Sequence, residues 1–290
     1  MKTVMASSFG QIIKAHSDSF FVLSDGQTYK CSARGVLKIK GDGLSVGDYV
    51  YFENNAIKSV QKRKNHFIRP NVSNVDVVVA VFSPEPKPDF CLLDKLYINA
   101  VKENVEFVIV VNKHDVSATV YDEIVKDYGS LGIKIFSVSS KTNVGIEELK
   151  QFLVGKLAVL AGQSASGKTS IVNAMFNLQL KTGDLSEKIA RGKHTTTRSE
   201  IFEHDNVRIV DSPGFAVLDA QISLEDLPLC YPEYVEVSCE CKFRGCVHVH
   251  EPDCKVKELV LSGDLSSRRY DRYVIIYNEI SKRRIIYEKD

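Results

Sequence analysis

The residues from Gly162 to Thr169 match a phosphate-binding loop. Their sequence, GQSASGKT, fits the pattern G-x-x-x-x-G-K-[ST] and lies between a predicted strand and a predicted helix, which is the context that the pattern requires. Glycines let the backbone wrap around a phosphate, and amide groups at the start of the helix supply positive potential. Lys168 would reach the β- and γ-phosphates, and the Thr169 hydroxyl would coordinate Mg²⁺. The predicted nucleotide-binding residues of this loop are Gly162, Gln163, Ser164, Ala165, Ser166, Gly167, Lys168, Thr169 and Ser170.

Two polar segments, each directly after a predicted strand, indicate that the base is guanine. The first is Asn112, Lys113, His114 and Asp115, which reads N-K-x-D, and the second is Ser139, Ser140 and Lys141. A carboxylate at Asp115 can accept hydrogen bonds from N1–H and from the exocyclic amino group of guanine, a donor pair that adenine lacks. Lys113 would lay its alkyl stem over the base, Asn112 would tie the loop to the nucleotide, and the serine segment would offer a backbone N–H to guanine O6. The alternative is that both segments are ordinary solvated loops.

A third pair of motifs would complete the nucleotide site. Asp211-Ser212-Pro213-Gly214 reads D-x-x-G, in which Asp211 would hold Mg²⁺ through water and Gly214 would sense the γ-phosphate. Thr195, Thr196 and Thr197 lie between the phosphate-binding loop and this motif, so one of their hydroxyls can reach the same Mg²⁺. Threonine clusters are usually solvated loops, but the position between two nucleotide motifs favours the functional interpretation.

A cluster of thiols and imidazoles near the C-terminus predicts a metal site. Cys241-x₄-Cys246-x-His248-x₅-Cys254 supplies three thiolates and one imidazole, which are enough to close a tetrahedral Zn²⁺ of the structural kind. The chain has seven cysteines, an odd number, and in a reducing compartment such a cluster favours metal over disulfides. Cys239 and His250 compete for the role, because each lies two residues from a preferred ligand.

The secondary-structure elements that must position these residues can be predicted from the hydrophobic pattern of the sequence. Short alternating strands punctuated by glycine fill residues 1–70 and predict a small barrel, either an OB-fold or an SH3-like barrel. From residue 71 to about 222, apolar strands alternate with helical stretches, which is typical of a doubly wound α/β domain. Residues 223–290 form a cysteine-bearing third region that ends in a helix over about 267–288, where Tyr273, Ile276, Tyr277 and Ile280 make one apolar stripe.

The amino-acid composition limits the classes of function that this chain can have. Of its 290 residues 44% are hydrophobic and 26% are charged, with a net charge of +1, which argues against a disordered chain. No apolar run reaches the length of a membrane span, and the first residues lack a secretory pattern, so we expect a cytoplasmic protein. Residues 1–70 carry eleven basic against five acidic side chains, and the remainder carries 27 against 32. A basic barrel on an acidic body indicates a polyanionic partner such as RNA, although a solvated lysine-rich surface would look the same.

The order of the nucleotide motifs points to a particular family. Ras-like GTPases read phosphate-binding loop, switch threonine, D-x-x-G, N-K-x-D and serine loop, whereas this chain begins with N-K-H-D at 112 and ends with D-S-P-G at 211. That order is a circular permutation of the GTPase domain. Together with the basic barrel, Arg69-Pro70, the stretch RGKHTTT at 191–197 and the cysteine-rich tail, it makes the chain resemble the bacterial small-ribosomal-subunit biogenesis GTPase family RsgA, also called YjeQ or YloQ.

The resemblance covers essentially the whole chain and carries several expectations. It implies a circularly permuted P-loop GTPase domain with an N-terminal OB-fold barrel and a C-terminal zinc-binding helical module. It implies a monomer that binds the small subunit and its rRNA, assists late maturation, and turns GTP into GDP with Mg²⁺, while one structural Zn²⁺ stabilises the tail. The weaker alternatives are a GTP-dependent scaffold with incidental catalysis and a P-loop ATPase with a nucleic-acid-binding zinc knuckle; Asp115 argues against the ATPase.

Two departures from the expected pattern bear on catalysis. Relatives usually have glycine where this chain has Ala165, and the β-carbon there could reshape the phosphate-binding loop. The absence of asparagine at this position also argues against potassium-dependent activation. Phe215 occupies the place of the glutamine that orients water in Ras-like enzymes, so we expect slow intrinsic hydrolysis. His194, beside the switch threonines, is the nearest polar substitute, unless it only stabilises its loop.

Overall fold

A computed structural model of the chain describes residues 7–16, 19–33, 43–68, 70–178, 199–211 and 220–287. Within these ranges the chain forms a closed barrel, an α/β domain on a mainly parallel sheet, and a helical module that contains a Cys/His cluster. This architecture confirms the predicted fold class. The domain boundaries expected near residues 70 and 222 stay predictions.

The barrel is built from five strands: β1 (Ser8–Ala15), β2 (Phe20–Ser24), β3 (Gln27–Ala33), β4 (Tyr49–Glu53) and β5 (Ala56–Val60). Their order is β1-β2-β3-β5-β4, and β4 pairs with β1 again, so the sheet closes on itself. Apolar side chains on alternate positions, such as Ile12, Val22 and Val50, are buried inside it. A closed five-stranded order in which β3 runs parallel to β5 matches the predicted OB-fold rather than the SH3-like barrel.

The α/β domain follows a short ribbon of β6 (His66–Phe67) and β7 (Val72–Ser73). Its sheet contains β8 (Val77–Phe82), β9 (Glu106–Val111), β10 (Lys134–Ser137), β11 (Leu157–Ala161), β12 (Glu200–His204) and β13 (Val207–Asp211). The order is β10-β9-β8-β11-β13-β12, with all pairs parallel except β12 with β13. Strands β8 and β11 are buried along their whole length, as expected of parallel strands covered on both faces.

Four of the described helices cover this sheet: α1 (Phe90–Lys102), α2 (Thr119–Tyr128), α3 (Ile146–Leu153) and α4 (Lys168–Phe176). Helices α1 and α2 pack on the face of β8 that carries Val78 and Ala80. Helices α3 and α4 pack on the opposite face, against Val77 and Val79. The domain is therefore doubly wound, and the loops that carry the nucleotide motifs emerge at the carboxyl ends of its parallel strands, where such folds bind ligands.

The third region packs around an apolar core that also includes Ile98 of α1. It contains α5 (Pro232–Val235), α6 (Lys255–Ser262) and α7 (Ser267–Tyr287), with short 3₁₀ turns at Leu227–Cys230 and Ser238–Glu240. The predicted stripe on α7 is confirmed, because Tyr273, Ile276 and Ile280 are buried and Tyr277 packs beside them. None of the described helices, α7 included, combines the length and apolar character needed to cross a membrane.

One feature of the sheet joins the first two regions. Strand β1 of the barrel pairs with β12 of the α/β domain through Lys14 and Glu200, so barrel and domain share an eleven-stranded sheet. The amino-acid pattern gives no sign of this continuity, because each strand reads only as a half-buried segment.

Candidate functional site

The phosphate-binding loop connects the end of β11 at Ala161 to the start of α4 at Lys168. Gly162 has a φ of 125°, and an added Cβ would collide with the carbonyl oxygen of Val81 on the neighbouring strand. Gly167 has a φ of 94°, and an added Cβ would collide with the Asn112 side chain. Both glycines are therefore required by the close approach of backbone to its neighbours as well as by their torsion angles. Ala165 also lies in the left-handed region, with a φ of 62°.

Lys168 lies across the loop that precedes it. Its Nζ donates to the carbonyl oxygens of Gly162 (2.8 Å) and Gln163 (2.7 Å). Lys168 is half-buried, and burial lowers the pKa of its ammonium. A shielded cation held by neutral carbonyls is well placed to exchange those partners for phosphate oxygens.

Asn112 connects the N-K-H-D segment to both neighbouring loops. Its Nδ2 donates to the Ser166 carbonyl at 3.1 Å, and its Oδ1 accepts from the Ser140 amide at 3.1 Å. The side chain is fully buried, so these two bonds satisfy polar atoms that water does not reach. The Asn112 side chain therefore ties the three loops to one another, and its contact with the nucleotide stays a prediction. The Ser140 amide is engaged by this bond, and the guanine O6 contact of the serine segment stays a prediction.

The adjacent Lys113 spans the site above the phosphate-binding loop. Its Nζ donates to the Ala165 carbonyl at 3.1 Å and to the Glu85 carbonyl. Its backbone has a φ of 61°, which turns the chain sharply after β9. The packing of its alkyl stem over the base stays a prediction.

The Asp115 carboxylate is held in a form that can accept hydrogen bonds. The Ser139 hydroxyl donates to its Oδ1 at 2.6 Å, and this bond holds the pKa of the exposed Asp115 carboxyl below its usual value. Ser139 also accepts from the Thr142 amide at 3.2 Å, so its hydroxyl is fixed from two sides. The predicted base-reading loops are thus in direct contact. His114 points elsewhere: its ring nitrogen Nδ1 lies 2.8 Å from the Ser137 hydroxyl.

Gln163 has a structural role that its sequence position did not reveal. Its Nε2 donates to the Lys87 carbonyl at 2.9 Å, and its Oε1 accepts from the Asp89 amide at 2.9 Å. Asp89 caps the start of α1 by accepting from the Leu92 amide at 3.0 Å. The start of the phosphate-binding loop is therefore fastened to the segment that leads into α1. A single polar residue within a motif gives no sequence signal for such a bridge.

Some of the remaining predicted site residues fall within the described ranges and others do not. Thr169 is half-buried in the first turn of α4, while Ser164 and Ser170 are exposed, as is Lys141 in the serine segment. Asp211 ends β13, the neighbour of β11, which places its backbone beside the phosphate-binding loop. His194, Thr196, Thr197 and Gly214 lie outside the described residues, as does Phe215, so their roles stay predictions.

The four predicted metal ligands come together. The ligand atoms of Cys241, Cys246, His248 and Cys254 all lie within 4.8 Å of one another. Distances from His248 Nδ1 to the sulfurs of Cys241 and Cys254 are 3.7 and 3.3 Å. A tetrahedral Zn²⁺, with bonds of about 2.3 Å to sulfur and about 2.0 Å to nitrogen, separates its ligands by about 3.5–3.8 Å. The donor set and its spacing therefore fit zinc. Cys239 and His250 are both exposed and do not belong to this group.

The protonation chemistry of the cluster agrees with a cation site. Burial lowers the pKa of His248, which keeps its imidazole neutral, the form that binds metal. Burial raises the pKa of Cys246 to about 12, so a thiolate at this position needs a cation beside it. The loop itself is tied to α7, because the hydroxyls of Tyr270 and Tyr273 donate to the carbonyls of His248 (2.8 Å) and Val247 (2.6 Å).

An α/β nucleotide fold in which N-K-x-D precedes the phosphate-binding loop is a circularly permuted GTPase. The family model described as RsgA GTPase matches residues 60–221, and the model described as RsgA N-terminal domain matches residues 9–59. The chain belongs to the RsgA GTPase family.

Relatives and solved structures agree with this assignment over nearly the full chain. A relative in Geobacillus sp. (strain WCH70), called small ribosomal subunit biogenesis GTPase RsgA, is 40% identical, covering 95% of this chain and 98% of its own length. A relative of that name in Streptococcus pneumoniae serotype 4 is 38% identical, with 97% of both chains covered. The crystal structure of YjeQ from Thermotoga maritima aligns with a TM-score of 0.79 at 32% identity, covering 95% of this chain and 99% of that one. YloQ, described as a circularly permuted GTPase, aligns with a TM-score of 0.76 at 29% identity, covering 98% of both chains.

Proposed function

We propose that this chain binds the small ribosomal subunit, assists its late maturation and hydrolyses GTP to GDP and phosphate. The observation that carries the GTPase part of this proposal is the direct contact between Asp115 and Ser139, which joins the N-K-H-D segment to the serine segment. Curated relatives that align over nearly their whole length are named for small-subunit biogenesis and for GTPase activity. We place this work in the cytoplasm and propose that the chain acts as a monomer.

The roles of the site residues follow from their chemistry. Asp115 would accept from guanine N1–H and from the 2-amino group, and Lys113 would cover the base. Lys168 would release the carbonyls of Gly162 and Gln163 and turn to the β- and γ-phosphates. Thr169, Thr196 and Asp211 would hold Mg²⁺, directly or through water. When bound, that ion neutralises charge that develops on the phosphate oxygens.

Hydrolysis would be slow without a partner. Phe215 has no group that can orient water, and we propose that His194 takes this task when the small subunit is bound. The basic first region would contact rRNA phosphates, so subunit binding should weaken as the salt concentration rises. The Cys₃His cluster would hold one structural Zn²⁺ and keep the third region in shape for the same partner.

Two measurements test this proposal. Equilibrium binding of GTP and ATP separates a GTPase from an ATPase, because Asp115 should make the GTP complex much tighter. Turnover alone, with purified small subunits and with large subunits, separates a subunit-stimulated enzyme from a scaffold. We expect substantial stimulation by small subunits only, and we expect its loss after deletion of residues 1–68 or in His194→Ala. Fast turnover that is indifferent to small subunits would refute the ribosomal assignment.

A further inference from the structure

The contact between strand β1 of the barrel and the GTPase sheet includes a charged pair, beside a hydrogen bond from Arg208 Nη1 on β13 to Gln11 Oε1 at 3.2 Å. Lys14 on β1 is paired with Glu200 on β12, and Lys14 Nζ lies 2.6 Å from Glu200 Oε2. The two side chains are 21% and 22% exposed, so the ion pair is largely withdrawn from water. Burial raises the pKa of the Glu200 carboxyl, and Lys14 acts in the opposite direction. Lys14 therefore stabilises the charged form of Glu200 in a place where burial opposes it.

Glu200 begins the hairpin that connects the two predicted switch motifs along the chain. Thr196 and Thr197 precede it by four and three residues, and β13, the second strand of the hairpin, ends at Asp211. Within the hairpin Glu200 is paired directly with Asp211. A shift in the position of β12 would therefore change the start of one motif and the backbone of the other. Among the described barrel strands, β1 is the one paired with this hairpin.

The barrel does not rely on this ion pair to stay attached. The Ser73 hydroxyl donates to Asp48 Oδ1 at 2.6 Å, and Asn74 Nδ2 donates to the Gly47 carbonyl at 2.9 Å. These buried bonds fasten the barrel to the segment that leads into β8. A change at Lys14 or Glu200 should alter how β1 is positioned on the hairpin while the barrel stays docked.

We propose that the Lys14–Glu200 ion pair is the positioning contact through which binding of the small subunit at the barrel accelerates GTP hydrolysis. The inference rests on the proposed function, because it assumes that the barrel docks on rRNA and that docking stimulates turnover. A bound partner accelerates hydrolysis only through a contact that differs between the resting and the activated state. A charged pair at the joint between β1 and the switch hairpin can provide such a difference, since strand register and ion-pair geometry change together.

Charge reversal and charge exchange test this proposal in the full-length protein. Lys14→Glu and Glu200→Lys should each lower the stimulated kcat at saturating small subunits about fivefold, the factor that corresponds to about 1 kcal/mol. The exchanged double variant should recover most of the loss. Basal kcat and the Kd for GTP should stay within about twofold of the wild type, because neither side chain is among the predicted nucleotide-binding or catalytic groups. Lys14→Met and Glu200→Gln, which keep the side-chain size, guard against misfolding, and thermal unfolding identifies any variant that fails to fold.

A second ion pair on the same hairpin provides a matched control. Lys150 on α3 donates to Asp205 Oδ2 at 2.7 Å, in the turn between β12 and β13 and away from the barrel. Lys150→Glu and Asp205→Lys should therefore leave the stimulated kcat unchanged. The Kd for small subunits, measured by co-sedimentation, shows whether Lys14→Glu acts by weakening rRNA binding. Glu200→Lys changes the GTPase side of the pair and therefore does not alter the surface of the barrel that is expected to bind rRNA.

The outcomes separate this inference from the function on which it rests. Small subunits that do not stimulate the wild type would overturn both. Wild-type stimulation that persists in both charge-reversal variants, or a loss that equals the loss in subunit affinity, would overturn the positioning role alone. A double variant no better than the single ones would also overturn it, because the two charges would then act independently.

Discussion

A buried network of ions joins the third region to the GTPase domain, and its removal has a calculable cost. Asp94 of α1 is fully buried and accepts from Arg269 Nη1 at 2.8 Å, from Arg272 Nε at 2.5 Å and from the Tyr128 hydroxyl at 2.7 Å. Arg269 is only 2% exposed. Burial opposes its charge, but Asp94 and Glu233 outweigh burial and raise the pKa of Arg269.

Asp94→Asn keeps the shape of the side chain and removes its charge. Arg269 retains Glu233 at 2.7 Å, and Arg272 retains Asp127 at 3.2 Å, so neither guanidinium is left without an anion. The new amide group would bring an N–H donor against a guanidinium donor, and two charge-assisted bonds would weaken. A bond to a charged group contributes about 1.5–3 kcal/mol, and breaking a buried pair costs about 3–5 kcal/mol. Since both arginines keep one partner, we expect about 3 kcal/mol.

The assay is the free energy of opening of α7, measured by native-state hydrogen exchange. Asp94→Asn should lower it by about 3 kcal/mol, and Tyr128→Phe, which removes one bond to Asp94, by about 1 kcal/mol. Glu258→Gln is the control, because its ion pair with Lys255 is exposed on α6 and should contribute less than about 1 kcal/mol. A loss below about 1 kcal/mol in Asp94→Asn would refute the reasoning, since the network would then not hold α7 against α1.

Three further predictions concern the nucleotide and metal sites. Asp115→Asn should weaken GTP binding and favour xanthine nucleotides, which offer the complementary acceptor, while Asp122→Asn on α2 should leave both affinities unchanged. Competition binding measures both affinities, and equal wild-type affinity for ATP and GTP would contradict the assignment. Lys168→Ala should abolish measurable GTP turnover, because it removes the cation that is expected to face the β- and γ-phosphates. Unchanged hydrolysis in a phosphate-release assay would mean that the loop does not hold the phosphates. Cys246→Ser should lose one Zn²⁺ per chain, as measured by metal analysis, and should destabilise the third region, whereas Cys239→Ser should retain the ion. A fully folded metal-free protein would rule out a structural zinc.

The sequence was most informative where local pattern and chemistry coincide. Strands β8 and β11 were predictable because a parallel strand covered on both faces must be apolar throughout, and both are buried along their length. The glycines at 162 and 167 were predictable because the loop needs torsion angles that other residues avoid. The spacing of four metal ligands within one short segment also predicted their convergence, and the structure brings them together.

Contacts between distant polar residues were not predictable in the same way. Asp94 and Arg269 meet although they belong to α1 and α7, and Gln163 reaches Lys87 and Asp89 across the site. Each of these residues has an ordinary alternative as a solvated side chain, and hydrophobic periodicity carries no information about which polar groups will meet. The roles of His194, Thr196, Thr197 and Gly214 stay predictions for another reason, since these residues lie outside the described ranges.

The shared sheet is where this limit matters most for function. A barrel strand that ends at Lys14 and a hairpin strand that begins at Glu200 each satisfy their own local pattern, so neither indicates that the two are paired. Their pairing nevertheless determines which surface of the barrel can influence the GTPase domain. Because register in a sheet is set residue by residue, a displacement of β1 is felt at Glu200 and, across the hairpin, at Asp211. Strand pairing and the Lys14–Glu200 ion pair thus connect the barrel to the hairpin whose second strand ends at Asp211, the first residue of the motif that is expected to sense the γ-phosphate.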